Sequence, residues 1–288
     1  VSAMRHRGPD GSGSWHSPSL GFPGDGTPPA CVLGHTRLSV LDLTAASRQP
    51  MATPDGRFVL VYNGEVYNHA EVRNELEFLG ESFGSTGDTE VVLKACVRWG
   101  SAAPLRFRGM FALGLWDERE RTLLLARDRL GVKPLYVTSV PGGLAFASEV
   151  RTLLAAGAVS RVLSPAGLLG YLRFGSVQEP DTLIAGVRSL APGQILRFDG
   201  ATEREESYWR LPPESLRHIS RQEATEGTRD LLREATRLQL VADVPSGIFL
   251  SSGADSTALA ILAAEASSRP VRTFTVVFDE AHLSEERR

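Results

Sequence analysis

Arg57-Phe-Val-Leu-Val-Tyr-Asn-Gly-Glu-Val-Tyr-Asn68 decides the larger part of the fold. Its first half is β-rich and apolar at consecutive positions, which suits a strand buried on both faces. The turn tripeptide Pro54-Asp55-Gly56 precedes it, and Asn68 is placed to cap a helix, with Glu71 as its capping-box partner and Gly80 as the terminator. A second helix is expected from about Asp88 to Trp99, with Val91, Val92, Ala95, Cys96 and Trp99 on one face and Gly100 behind it. Cys31 to Leu43 is strand-like. Met110–Trp116 with Thr122–Arg127, and Pro134–Thr138 with Leu144–Ala147, read as hairpins. Strands in runs with helices packed outside them predict a layered α+β domain.

The pattern changes from Glu223. A helix to about Leu240 is expected there. The strand Gly247–Leu250, a Ser/Gly loop, the helix Thr257–Glu265 and the strand Thr273–Phe278 follow. That is a βαβ unit, the seed of a parallel α/β sheet. The boundaries read from sequence are 1–198 for the first domain, 199–220 for a linker and 221–288 for the beginning of the second. The chain starts on Val, and Glu285-Glu286-Arg287-Arg288 reads as the first turn of a helix without its apolar face. Both ends therefore look cut, and the chain reads as a fragment.

Composition limits the classes available. Of 288 residues 42% are hydrophobic and the net charge is −3, too apolar for a disordered chain and without a basic footprint for nucleic acid. The longest apolar run, Ala258 to Ala264, is far short of the roughly 18 residues of a membrane span. Only Lys94 and Lys133 are lysines among 31 basic residues, so little lysine chemistry is available. Cys31 and Cys96 have no CxxC partner, and both read as packed side chains; a reducing cytoplasm is the expected setting.

Three groups of residues carry chemistry. Leu250-Ser251-Ser252-Gly253-Ala254-Asp255-Ser256 lies between a strand and a helix N-terminus, where free N–H groups and the helix dipole favour phosphate. Asp255 there is placed to hold Mg2+ or to orient its waters. The alternative is a plain Ser-rich turn with an N-cap. Asn63 and the Gly64 N–H can point two donors at a developing oxyanion, unless they form an ordinary Asn-Gly turn. Arg37 can clamp a substrate carboxylate or sit in a surface salt bridge. Asp88 can receive a substrate ammonium or serve as the N-cap of its helix.

Eleven pieces recur in one order. They are His6-Arg-Gly-Pro-Asp-Gly11, Gly34-His-Thr-Arg-Leu-Ser39, Gln49-Pro-Met51, Tyr62-Asn-Gly-Glu-Val-Tyr-Asn68, Gly87-Asp-Thr-Glu90, Gly109-Met-Phe-Ala112, Arg127-Asp-Arg-Leu-Gly-Val-Lys-Pro-Leu-Tyr136, Phe146-Ala-Ser-Glu149, Pro192-Gly193, Asp243-Val-Pro245 and Leu250 to Ser256. The series resembles the glutamine-hydrolysing asparagine synthetases along essentially the whole chain.

The resemblance implies an N-terminal-nucleophile (Ntn) glutaminase of αββα layers, followed by the start of an ATP pyrophosphatase-type synthetase domain. It implies glutamine hydrolysis, activation of aspartate as an adenylate by ATP with Mg2+, and attack by ammonia; homodimers are common in that family. Carried over by motif, Arg37 would bind the glutamine α-carboxylate and Asp88 its α-amino group. Asn63 and Gly64 would form the oxyanion hole, and Glu65 would line the pocket. Ser251, Ser252, Gly253, Asp255 and Ser256 would hold the pyrophosphate portion of ATP, with Leu250 and Val276 against the adenosine.

Departures from the pattern matter. The family's nucleophile is a cysteine at the mature N-terminus, and no cysteine precedes Cys31. The reading therefore predicts a glutamine pocket without its nucleophile, and a 288-residue chain that neither hydrolyses glutamine nor makes asparagine. Ser252 stands where relatives carry a second Gly, and Gly87 where Ser is usual. Two competing readings are a carboxylate-adenylating ligase that uses another amine, as β-lactam synthetases do, and a non-catalytic glutamine-binding module.

Overall fold

The computed structural model describes residues 1–18, 30–213 and 219–279. In chain order the regular elements of the first unit are β1 (Gly11–His16), β2 (Val32–Arg37), β3 (Met51–Ala52), β4 (Phe58–Val66), α1 (His69–Phe78), α2 (Asp88–Trp99), α3 (Ala103–Arg106), β5 (Gly109–Asp117), β6 (Thr122–Arg127), β7 (Tyr136–Val140), β8 (Gly143–Ala147), α4 (Val150–Ala155), α5 (Pro165–Phe174), β9 (Arg188–Ser189), β10 (Gln194–Phe198) and β11 (Glu203–Ser207). Those of the second unit are α6 (Arg221–Gln239), β12 (Gly247–Phe249), α7 (Ala254–Ala266) and β13 (Arg272–Phe274). The chain divides into compact units at Leu211 and Pro212.

β4 sits inside a six-stranded antiparallel sheet of order β11-β10-β6-β5-β4-β3. The two-residue alternation of strands assigns its side chains to two cores. Leu60, Tyr62 and Val66 face α1 and α2, packing with Val72, Leu76, Val92 and Cys96. Val59 and Val61 face the other way, onto Leu33 of β2 and Val137 of β7. The short sheet β8-β7-β9 and the ribbon β1-β2 make up this second layer. The outer side of β7 and β8 packs on Val150 and Leu153 of α4. Helices, two layers of sheet and a further helix thus stack as αββα. Burial on both faces explains why the strand reads as a continuous apolar run, each such Val or Leu contributing about 1.5–3 kcal/mol of transfer free energy.

Arg127 and Asp128, side by side in the long motif before Tyr136, tie the layers together. Arg127 is 3% exposed and its guanidinium forks onto Glu179 at 2.9 and 3.0 Å. The same group donates to Ser189 Oγ and to the carbonyls of Gly131, Lys133 and Leu190. Asp128, 1% exposed, accepts the N–H groups of Phe111, Leu130, Val132 and Lys133. One buried cation and one buried anion thereby satisfy the loop between β6 and β7.

Several local expectations change. Asn63 and Gly64 are not a turn: β4 continues through them to Val66, with Asn63 opposite Ala112 and Gly64 opposite Phe111. Asn68 is the N-cap of α1 by position, but its side chain is spent on Arg106 O and Arg108 N–H, so the box with Glu71 does not form. A full capping box appears instead at Ser220 and Glu223, which starts α6 at Arg221. Only Val32–Arg37 of the segment from Cys31 to Leu43 is strand. Residues 199–211 belong to the first unit rather than to a linker, because β11 pairs along β10 and Tyr208 OH donates to Arg127 O.

In the second unit β12 and β13 pair in parallel across α7, the βαβ connection read from sequence. β13 is shorter than expected, ending at Phe274. The helical turn expected at residues 285–288 lies outside the described residues. Among the described residues no helix is long and apolar enough to cross a membrane.

Candidate functional site

A cavity of about 480 Å3, within the usual range for small-molecule sites, opens in the first unit. Arg37, Asn63, Gly64, Glu65 and Asp88 all line it, together with His35, Gln49, Tyr62, Lys133 and Ser148. Residues from β2, β4 and α2 meet there because β4 passes between the ribbon and the helix pair.

Asp88 is the first residue of α2, and Gly87, not Asp88, is the N-cap. The carboxylate is 6% exposed and its Oδ2 accepts Tyr62 OH at 2.7 Å and Val66 N–H at 3.0 Å. Burial raises its pKa, while those two hydrogen bonds oppose the rise. Arg37 donates through Nη1 to Thr44 O at 2.8 Å and through Nη2 to Asp42 O, so backbone carbonyls aim its fork. Glu65 is pushed up to about 7, by burial first and by Asp88 second, with Lys133 pulling the other way. Burial lowers the Lys133 ammonium from its ordinary value.

Strand geometry orients Gly64. Tyr62 N–H donates to Gln49 Oε1 at 2.6 Å and Val66 N–H to Asp88, on the edge of β4 away from β5. With a period of two, the Gly64 N–H points to that same edge, between the two partners. A β-carbon on Gly64 would lie 2.2 Å from Met110 O, so only glycine keeps β4 and β5 paired here. Asn63 Nδ2 reaches Ser148 Oγ at 3.4 Å.

Sequence reading passed over five residues of this region: His35, Asp42, Gln49, Tyr62 and Lys133. Gln49 pairs both its amide groups with the Tyr62 backbone, replacing a strand partner where β3 ends. His35 Nε2 lies 3.0 Å from Tyr62 O, which can only accept, so Nε2 carries the proton. Burial lowers its pKa to about 4, leaving it neutral with Nδ1 an acceptor without a partner. The signals available for them were slight: four lie in quoted motifs, Lys133 among them as one of two lysines, and Asp42 lies in none.

The phosphate-loop residues gather in the second unit. Gly253 is the N-cap of α7, and Ser251 and Ser256 link their hydroxyls at 2.9 Å, with Ser256 Oγ also accepting Ser251 N–H. Leu250 N–H donates to Phe274 O, and Thr275 Oγ1 to Leu250 O. Ser252, Asp255 and Val276 are exposed on or beside this loop, Val276 beyond the end of β13 rather than within a strand. Among the described residues no group of three or more His, Cys, Asp or Glu side chains could hold a metal ion.

Stacked sheets between helices define an Ntn-type glutamine amidotransferase fold. Residues 1–209 match the glutamine amidotransferase domain and residues 227–288 the asparagine synthase domain; the chain belongs to the glutamine amidotransferase domain family. It is 34% identical to asparagine synthetase [glutamine-hydrolyzing] 3 of Bacillus subtilis, across 97% of this chain and 45% of that protein. It is 37% identical to the amidase chyE of Penicillium rubens, across 99% of this chain and 43% of that one. The chain thus spans less than half the length of these curated relatives. Among solved structures, the glutamine phosphoribosylpyrophosphate amidotransferase of Bacillus subtilis shares the fold, with a TM-score of 0.54 at 17% identity, covering 99% of this chain and 63% of that one.

Proposed function

We propose that the chain is the glutamine-binding unit, joined to the nucleotide-binding part, of a glutamine-dependent ligase that amidates the side chain of aspartate at the expense of ATP. The observation that carries this reading is the meeting of Arg37, Asn63, Gly64, Glu65 and Asp88 around one cavity. In it the Arg37 fork takes the α-carboxylate of glutamine, while Asp88 and Glu65 take the ammonium. The side-chain amide then lies along β4, where Asn63 Nδ2 and the Gly64 N–H face the oxygen that becomes negative on attack.

Neither cysteine of the chain is suited to be the attacking nucleophile. Cys96 is buried on the core face of α2 and Cys31 is half-buried, and burial pushes both thiols up to about 12. Two unpaired cysteines fit a reducing cytoplasm.

In the second unit the free N–H groups at the start of α7 and the Ser251, Ser252, Gly253 and Ser256 loop fit a pyrophosphate. Leu250 and Val276 would flank the adenosine. Mg2+ would arrive with the phosphates of ATP, Asp255 orienting its waters. ATP supplies the leaving group that activates the acceptor carboxylate. The test is calorimetric titration of the 288-residue protein with glutamine, with ammonia release followed in parallel. Binding without release is expected; no binding overturns the proposal, and ammonia release overturns the exclusion of Cys31 and Cys96 as nucleophiles.

Glu65 makes this pocket pH-dependent. As a carboxylate raised to about 7 beside Asp88 and Lys133, it becomes anionic as pH rises from 6 to 8. Glutamine affinity is expected to rise by up to about tenfold across that interval, and Glu65→Gln to flatten the profile. The unliganded protein responds oppositely. A group that ionises near 4.5 when unfolded and near 7 when folded binds its proton more tightly in the folded state, so its contribution to stability falls as pH rises through that window.

A further inference from the structure

Arg37 and Asp88 lie far apart in the chain, on β2 and α2, and one residue contacts both segments. The backbone carbonyl of Asp42 accepts from Arg37 Nη2, beside the Thr44 carbonyl that takes Nη1. Its carboxylate, in a residue 4% exposed, turns the other way. Oδ2 accepts the N–H of Thr86 at 2.9 Å, and Oδ1 accepts the N–H and hydroxyl of Thr44 at 3.0 and 2.5 Å. Thr86 and Gly87 lead directly into Asp88. The two loops also touch: a β-carbon on Gly87 would lie 3.0 Å from Asp42 Cβ and 2.8 Å from Ser47 Oγ, which explains glycine at that position.

Asp42 adopts φ 48°, a left-handed backbone that Asp and Asn tolerate better than other side chains. Burial by itself would raise its pKa; hydrogen bonds from Thr44 and Thr86 prevail and hold the carboxyl well below the usual range. An ionised acceptor makes the stronger bond to Thr86.

We infer that Asp42 is a positioning residue, holding Arg37 and Asp88 at the separation of the carboxylate and ammonium of one α-amino acid. It thereby sets the selectivity of the cavity for α-amino acids over amides that carry only one of those charges. The inference rests on the glutamine-pocket reading above.

Asp42→Asn tests it. Asparagine suits the left-handed backbone and keeps an oxygen for one loop, but sets an amide NH2 against the N–H of Thr86 or Thr44. Three ligands are titrated into the wild-type and variant chains: glutamine, glutaramic acid (no ammonium) and γ-aminobutyramide (no carboxylate). The preference for glutamine over glutaramic acid is expected to fall about tenfold in the variant, the loss of one charge-assisted contact. The preference over γ-aminobutyramide should change less than about threefold, because the carbonyls that hold Arg37 remain. These ratios do not depend on the fraction folded, so a destabilised variant is still informative.

Should the asparagine variant not fold, Asp42→Gly, which also suits φ 48°, is read in the same way. Equal weakening toward all three ligands, or an unchanged ratio, overturns the positioning role. A wild-type chain that binds the three equally overturns the glutamine reading instead, before any substitution is made.

Discussion

Arg37→Ala lowers the affinity of the first unit for glutamine by about a hundredfold, the loss of a forked pair of charged hydrogen bonds worth roughly 1.5–3 kcal/mol each, less what water restores. The size follows from how the guanidinium is held. Two of its N–H groups are spent on the carbonyls of Asp42 and Thr44, which fix its plane without neutralising it. Three remain for a ligand, in the geometry that a carboxylate accepts. Arg37→Lys should restore little, because an ammonium offers a point charge and not a fork. Calorimetry with glutamine gives the magnitude, and γ-aminobutyramide gives the control. Lacking a carboxylate, it should bind the wild-type and Arg37→Ala chains alike. A loss smaller than about threefold for glutamine would remove Arg37 from the site.

The largest effect on stability is expected at Arg127. Arg127→Met keeps the volume of the side chain and removes its charge. It leaves Glu179 only its bond from Ser189 Oγ, and leaves the buried carbonyl of Leu190 and the half-buried carbonyls of Gly131 and Lys133 without their donor. The ion pair itself adds little, because the Glu179 side chain is 43% exposed; the cost, about 3 kcal/mol, is mostly the penalty for the stranded polar groups. For a unit of this size the thermal midpoint should fall by about 10 °C, read by scanning calorimetry. A fall of less than about 2 °C would mean that the loop satisfies itself without Arg127. Glutamine affinity should weaken too, since Lys133 and Leu135, carried by that loop, line the cavity.

Much of the fold is legible along the chain because local chemistry and final structure agree there. α2 runs from Asp88 to Trp99 as its apolar face and Gly100 indicate, and the β5–β6 hairpin forms around its charged turn. The βαβ seed around Ser251–Ser256 forms as read. Where local reading and structure part, a side chain or a stretch of backbone has been taken by a tertiary partner. Asn68 has every local mark of a helix cap, yet Arg106 and Arg108 claim its amide. Asn63-Gly64 has every local mark of a turn, yet pairing with Ala112 and Phe111 stretches it into strand. Glu203–Ser207 is polar enough to look like linker, yet it adds an edge strand to β10.

The site divides in the same way. Residue types and motif order determine which groups are present: an arginine, an Asn-Gly pair, two carboxylates and a Ser/Gly loop before a helix. Their distances are a tertiary matter. That β4 threads between two cores, that Gln49 substitutes for a strand partner at Tyr62, and that Asp42 ties the Arg37 segment to the Asp88 segment all depend on residues remote in sequence. The pKa of Glu65 near 7 and the neutrality of His35 arise likewise, from burial and neighbouring charge. Patterning of apolar and turn residues is local, and can be read one element at a time. Desolvation and hydrogen-bond geometry depend on what packs alongside, and exist only once the layers have closed.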